Sequence, residues 1–390
     1  MRKVLTNAAA VATAVVAVVG IAVMSVVFRT HATASAGSAQ VTAATASAAS
    51  VSYPETLPAG YGSITGLAAS ASGDDAWYFA ESATRDTLFR YSAATRQLRK
   101  YQLPVSVGLR AGMYTPIAIE GTDQAWIGIN SSLVHVNGAT GAVTVTKLAP
   151  PSIASSEAGH LPFVPTGYTA SAFEGIQSMT VASDGTLYIG RLFASALEAY
   201  DTKTGAMRDV ALPSGSVLEG VGTDLAVGAD GEVTAVLARP ASGSVAIAAE
   251  QVGTWHSVAT PGCAAQAVTP GSAGAMLVGA SCASRVTASA AAPLATQDSR
   301  LNGTGVTLSA TSEILGTTTG AILVRGAAVT SLNLGNVSEG ALTLPPNAPD
   351  KDVSSAAPVT FTLTAGADAS HVWFVPAVGA GLRIGLITVG

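Results

Sequence analysis

Charge is what this sequence has least of. Only 11% of its 390 residues are Asp, Glu, Lys or Arg, aromatics make up 5%, and there are two cysteines and five histidines. The formal net charge is -5 and no basic stripe interrupts it, which turns the reading away from nucleic acid as a partner. Two cysteines with no further Cys or His at ligand spacing do not make a zinc site. There is no Gly-x-Ser-x-Gly elbow and no glycine loop suited to cradling phosphate. Glycine, by contrast, is abundant at 41 residues, set among small and β-branched apolar side chains. Such a composition belongs neither to a disordered chain nor to a coiled coil, and it suits strands in closely packed sheets.

The N-terminus is the one long apolar stretch. Arg2 and Lys3 precede an uncharged run from Ala8 to Phe28, and Arg29 and His31 follow it. Ala32-Thr33-Ala34 and Ala34-Ser35-Ala36 are small-x-small sites for a signal peptidase, so residues 1–36 are expected to be an export signal. At about 1.5 Å per residue the run also approaches the thickness of a bilayer, which leaves a retained membrane anchor as the alternative. No Cys follows closely, so lipid attachment is not expected. In either case the rest of the chain is expected outside the cytoplasm, secreted or held at the membrane by this segment. Residues 37–50 are Ala, Ser, Thr and Gly with little else and read as a linker, leaving 51–390 as the folded domain. Cys263 and Cys282, an even pair one hairpin apart in an exported chain, are expected to form a disulfide, with two separate buried thiols as the alternative.

The folded part is organised by a repeat. Ile64–Pro104 reads as four short strands separated by the turn-formers Ser72-Gly73-Asp74-Asp75, Ser82–Asp86 and Ser92–Arg96. Pro116–Pro150 and Ile176–Pro213 repeat the design. Asp74-Asp75-Ala76-Trp77-Tyr78 falls on Asp123-Gln124-Ala125-Trp126-Ile127 and on Asp184-Gly185-Thr186-Leu187-Tyr188. Each unit closes on Leu-Pro or Ala-Pro: Leu103-Pro104, Ala149-Pro150 and Leu212-Pro213. Four antiparallel strands in about 40 residues make one blade of a β-propeller. Weaker units follow at Gly222–Pro261, Ala265–Ala295, Gly305–Gly335 and Pro358–Gly390. The expectation is therefore an all-β propeller of seven four-stranded blades, or six if the Gly305 unit merges with a neighbour. Val51–Leu57 ends in the same Leu-Pro and is expected to close the ring as the outermost strand of the last blade. Pro54 is tolerable there because an outer edge forms no ladder bond on its free side.

The blade ASGDDAWYFAES followed by LFRYSAATRQLRKYQLP resembles those of the streptogramin B (virginiamycin B) lyase-like propellers, over Ile64–Pro213 and more faintly to the end of the chain. That resemblance implies a metal-assisted elimination. A histidine would act as general acid and base, and acidic groups would hold magnesium in loops that enter the central tunnel. The segments leading into the innermost strands are Tyr114-Thr115-Pro116, Phe173-Glu174-Gly175 and Leu218-Glu219-Gly220, and none contains a histidine. Glu81 is the only Glu on an aromatic strand, its counterparts being Asn130 and Arg191.

Candidate site residues follow from these positions. Glu174 and Glu219 each precede a Gly at the start of an innermost strand, and two carboxylates at one end of a tunnel suit Mg²⁺ or Ca²⁺. Tyr114 opens the equivalent segment of the preceding unit and joins them as a ligand contact. His160 lies near Glu157 in the long stretch 151–171 and is the weak candidate for a catalytic base. His135 reads as a strand-face residue, Asp74, Asp123, Asp184 and Asp230 as turn residues, and Trp77, Trp126, Tyr188 and Trp373 as inter-blade packing. The functional expectation is a non-catalytic module that binds a small molecule, glycan or protein at the loop-rich end of the tunnel. The alternatives are a metal-dependent lyase or hydrolase and a structural protein of the cell envelope.

Overall fold

The computed structural model describes residues 49–70, 72–82, 86–104, 115–149, 175–191, 194–213, 216–218, 225–227, 232–238, 245–251, 254–258, 265–270, 275–279, 283–287, 290–293, 312–316, 321–325, 328–333, 338–343, 361–366, 371–376 and 383–389. The chain divides into two compact units, Met1–Gln40 and Val41–Gly390, and every described residue belongs to the second. All regular elements among the described residues are strands.

The first strand, β1 (Ala49–Thr56), stands apart in sequence from the sheet it joins. Blade 1 follows with β2 (Tyr61–Ala69), β3 (Asp75–Ser82), β4 (Thr87–Ser92) and β5 (Gln97–Gln102). Blade 2 has β6 (Ile117–Glu120), β7 (Gln124–Ile129), β8 (Ser132–Asn137) and β9 (Val143–Lys147). Blade 3 has β10 (Ile176–Val181), β11 (Thr186–Arg191), β12 (Ala196–Asp201) and β13 (Met207–Ala211). In blade 4 the inner strand is split into β14 (Val217–Leu218) and β15 (Leu225–Val227), both paired with β16 (Val233–Ala238), before β17 (Val245–Gln251) and β18 (Thr254–Val258). Blade 5 has β19 (Ala265–Pro270), β20 (Ala275–Gly279), β21 (Ala283–Thr287) and β22 (Ala290–Pro293). Blade 6 has β23 (Ser312–Gly316), β24 (Ala321–Arg325), β25 (Ala328–Asn333) and β26 (Ser338–Thr343). Blade 7 has β27 (Phe361–Gly366), β28 (His371–Pro376) and β29 (Arg383–Val389), with β1 on its outer edge.

Innermost strands neighbour one another in the order β2, β6, β10, β15, β19, β23, β27 and back to β2, so the seven sheets form a closed ring. The ring is locked by β1, which pairs antiparallel to β29 from Ala49 opposite Val389 to Thr56 opposite Arg383. The register slips between Ser52 and Glu55, where Pro54 sits, so the edge proline costs no ladder bond. Six blades are thereby excluded. The sixth sheet is complete because its outer strand, β26, lies beyond Gly335, where the sequence repeat was expected to end. Ser-Glu-Gly-Ala-Leu-Thr lacks the apolar alternation that marks a strand from sequence.

Packing explains why the second strands are apolar throughout. A propeller blade is covered on both faces, so alternate residues of one strand enter two different cores. From β3, Ala76, Tyr78 and Ala80 pack against Trp373, Val375 and Ile384 of blade 7. Trp77 and Phe79 pack with Ile117, Ile127 and Val134 of blade 2. Trp126 of blade 2 likewise faces blade 3, and Tyr188 of blade 3 faces blade 4. The recurrent aromatics are thus inter-blade wedges. Trp373 carries the same role around the closure, its indole N–H donating to the Gly73 carbonyl at 2.7 Å.

This alternation corrects the sequence alignment of the third unit. Leu187 faces back to blade 2 whereas Trp77 faces forward to the next blade, so Tyr188 is the true counterpart of Trp77. One residue of slip exchanges the two faces of a strand. Arg191 accordingly matches Ala80 and not Glu81.

Candidate functional site

Strand direction divides the ring into two ends. Outer strands run to the end where the next inner strand begins, so the connections spanning 103–116, 148–175, 294–311 and 344–360 all leave from that end. Hairpin turns such as 121–123 and 138–142 lie at the other, as does Ala49, where the chain enters the wheel.

At the end with the long connections, the inner strands carry a repeated irregularity. The register of β2 against β3 skips Thr65 between Ile64 and Gly66, and that of β10 against β11 skips Gln177. In the same way β19 skips Gln266 and β27 skips Thr362. In all four blades the bulge falls beside the last residues of the second strand, at one level of the ring to within a residue. A second slip in β2, at Gly62, lies nearer the start of that strand; at the level the four blades share, the bulged residue carries a hydroxyl or a primary amide. A β-bulge breaks the ladder and re-aims a side chain, and bulges concentrate beside functional sites. In blade 4 the inner strand is in two pieces, Leu218 pairing with Leu237 and Leu225 with Ala235.

Around this level the side chains are polar and buried. Thr65, Glu81 and Thr115 are buried, and Thr65 Oγ1 lies 2.9 Å from Thr115 Oγ1. The carboxylate of Glu81 receives the Ser63 hydroxyl at 3.3 Å and the Thr65 hydroxyl at 3.5 Å. Backbone bonds across the seams hold the arrangement: Thr115 N–H donates to the Thr65 carbonyl at 2.8 Å and Ile176 N–H to that of Asn130 at 2.7 Å. Arg191 is fully buried, forked onto Glu198 at 2.8 and 3.0 Å, and it also donates to the Ala149 carbonyl at 3.0 Å. That charge is therefore spent on tying the start of the 148–175 connection to blade 3. Three buried oxygens at this end, Asn130 Oδ1, Ser178 Oγ and Ser216 Oγ, have no hydrogen-bond partner among the described residues.

Of the residues singled out from sequence, Tyr114, His160, Glu174 and Glu219 lie outside the described residues, as do Cys263 and Cys282. A chain neighbour is described for Tyr114, Glu174 and Glu219. Thr115 directly follows Tyr114 in the Thr65–Glu81 cluster, and Glu174 comes two residues before β10. Glu219 directly follows β14, inside the interrupted inner strand and not ahead of it. Among the described residues no group of three His, Cys, Asp or Glu is placed to hold a metal ion.

His135 is indeed a strand-face residue. Its ring stacks on Trp126 at 4.2 Å, Nε2 lies 2.8 Å from Gln124 Oε1, and burial pushes its pKa below the usual value, partly opposed by Glu120. Asp184 caps its turn through Thr186 N–H at 2.8 Å, but Asp123 does more than turn the chain: it pairs with Arg90 of the neighbouring blade. The bulged residues and the Arg90 pair escaped the sequence reading. A polar residue just inside an inner strand was the only available sign of the former.

No family model matches the chain, and no curated protein sequence matches it. Solved structures do. A catalytically inactive virginiamycin B lyase from Staphylococcus aureus, in complex with quinupristin, superposes with a TM-score of 0.56 at 13% identity, covering 88% of this chain and 100% of that one. The WD40 repeats of RRP9 superpose with a TM-score of 0.53 at 8% identity, covering 90% and 100%. What they share with this chain is the fold. It is a β-propeller, an architecture found in a lyase and in WD40 repeats alike, so the site and not the fold must decide the activity.

Proposed function

We propose that this protein is an exported propeller that recognises a ligand or partner at the tunnel end bearing its long connections, without transforming it. One observation carries the reading: bulged inner strands gather at that end with buried oxygens that have no partner among the described residues. Buried polar groups are normally satisfied, and a ring of unfilled acceptors and donors is what a hydroxyl- or amide-bearing ligand completes. A small molecule, a glycan or a protein loop could supply those groups. The apolar N-terminal run supports export, by a cleaved signal or a retained anchor, with residues 37–50, whose last two already belong to β1, as tether. Cys263 and Cys282 lie just ahead of β19 and β21, which begin at one end of a single sheet where Ala265 pairs with Gly279. That supports a disulfide between them.

Glu174 and Glu219 are the donors a hard cation would take, with hydroxyl and amide oxygens completing its shell. Mg²⁺ or Ca²⁺ there would bridge ligand oxygens to the protein. Calorimetric titration of the protein with each ion, on the native chain and on a Glu174→Gln/Glu219→Gln variant, tests this. Heat in the native chain that the variant loses is the expected result; no heat in the native chain removes the cation. The lyase alternative becomes the better reading if His160 is found within hydrogen-bond reach of either glutamate.

A further inference from the structure

A second polar site lies at the opposite end of the ring, in the seam between blades 1 and 2. Arg90 on β4 and Arg99 on β5 are direct cross-strand partners on the face turned to blade 2. Like charges so placed repel unless something neutralises them. The neutralisation is uneven. Arg90 takes two carboxylates, Asp75 of its own blade with Nε at 2.9 Å and Asp123 of blade 2. Its guanidinium also sits 5.0 Å from the centre of the Trp77 ring, which stacks on Tyr101 beneath it. Arg99, in contrast, donates only to the carbonyl of Gly138, at 3.0 Å, and no carboxylate pairs with it among the described residues. The Tyr101 hydroxyl shares that carbonyl at 2.9 Å. Gly138 must remain glycine, since a Cβ there would stand 2.6 Å from the Trp77 ring.

Arg90 and Arg99 line an open hollow of about 370 Å³ with Ser92, Thr95 and Gln97 from blade 1 and Asp123 and Ala139 from blade 2. One end is cationic through Arg99. The other carries the partly exposed carboxylate of Asp123, whose second oxygen receives only the Thr122 hydroxyl, at 3.3 Å. Asp123 is held by Arg90 before any ligand arrives, and the exposed Arg99 side chain leans on the Gly138 carbonyl. The volume lies at the small end of the range for ligand sites.

We propose that this hollow binds a compact acid whose carboxylate is flanked by hydrogen-bond donors. Arg99 takes the carboxylate in the two-pronged geometry that guanidinium favours. Asp123, Gln97 and Ser92 receive the hydroxyl or ammonium groups beside it. A sugar acid and a zwitterionic dipeptide, whose carboxylate is followed by an amide N–H and then an ammonium, both carry that pattern. The site is separate from the tunnel end discussed above and does not depend on it.

Ligand-observed saturation-transfer NMR and calorimetry at low salt, on the full chain, test the assignment with three probes: D-glucuronate, L-alanyl-L-alanine and D-glucose. Saturable binding of one or both acids, with glucose at least about tenfold weaker, is expected, and the acid that binds names the source. Arg99→Gln should weaken the acid by about tenfold or more at unchanged melting temperature, with Arg99→Lys intermediate. Gln97→Ala, which touches no charge, provides a second reading and should weaken binding by a few-fold. Glucose binding as well as the acids, an Arg99→Gln variant that binds like the native chain, or no saturation by either acid up to about 20 mM would overturn the proposal.

Discussion

The ring is held shut by a strand that joins its sheet from the far end of the chain, and Tyr53 is the side chain by which that closure can be weighed. Its ring meets Phe374 edge to face at 5.7 Å, and the Arg383 guanidinium stands 4.3 Å from its centre. Tyr53→Ala removes the aromatic pair, worth about 0.5–1.5 kcal/mol, and the cation–π contact, worth about 0.5–1 kcal/mol at a half-exposed site. The lost burial of a half-covered ring adds about 1–1.5 kcal/mol at 25 cal/mol per Å². The total is about 2–4 kcal/mol. With an unfolding entropy of about 2 cal/mol/K per residue, a cooperative unit of this size should melt about 3–6 °C lower. Differential scanning calorimetry of the native chain, Tyr53→Ala and Tyr53→Phe measures it. The Phe variant keeps both ring contacts and should melt within about 1 °C of the native chain. If Tyr53→Ala also does so, β1 does not clasp the last blade as described, and the closed ring loses its main support.

Two further predictions concern the seams. His135 is half-buried and desolvation favours its neutral form, so its folded pKa lies below the unfolded value of about 6.5 and the unfolded chain binds more protons between the two. Its contribution to stability is whole above the unfolded pKa and falls as pH drops through that value towards the folded one. Urea unfolding at pH 7.5 and pH 5 should show the native chain losing more stability than His135→Gln; equal losses would place the imidazole in water. Gly66→Ala would set a Cβ 2.4 Å from the Thr115 carbonyl oxygen, a backbone atom that cannot step aside. It should cost about 1–3 kcal/mol of overpacking, read as a lower melting temperature.

The blades were legible because what makes them is local. Gly, Asp and Ser at Ser72–Asp75 and 183–185 set turns through their own backbone, and alternation between those turns marks strands of blade length. Closure by Val51–Leu57 was legible for a related reason: the same Leu-Pro ending marks it as the missing copy of a repeated strand. Even so, the alignment of the third unit ran one residue out, because apolar residues on both faces of β11 leave no alternation to fix its phase. The strand Ser338–Thr343 was lost because Gly and Ser dilute its pattern.

The amino-acid sequence by itself determined the design of the sheets and limited their number to six or seven, because hydrophobic period and turn chemistry act over a few residues. Only the tertiary structure decided what those sheets bring together. Trp373 reaches Gly73 from 300 residues away, Arg90 is shared between Asp75 and Asp123, and Arg99 is left facing a carbonyl. The bulges at Thr65 and Gln177 arise from pairing register, which a strand's own residues do not state. Such contacts depend on how neighbouring blades mesh, and the free energy of that meshing is spread over the whole ring.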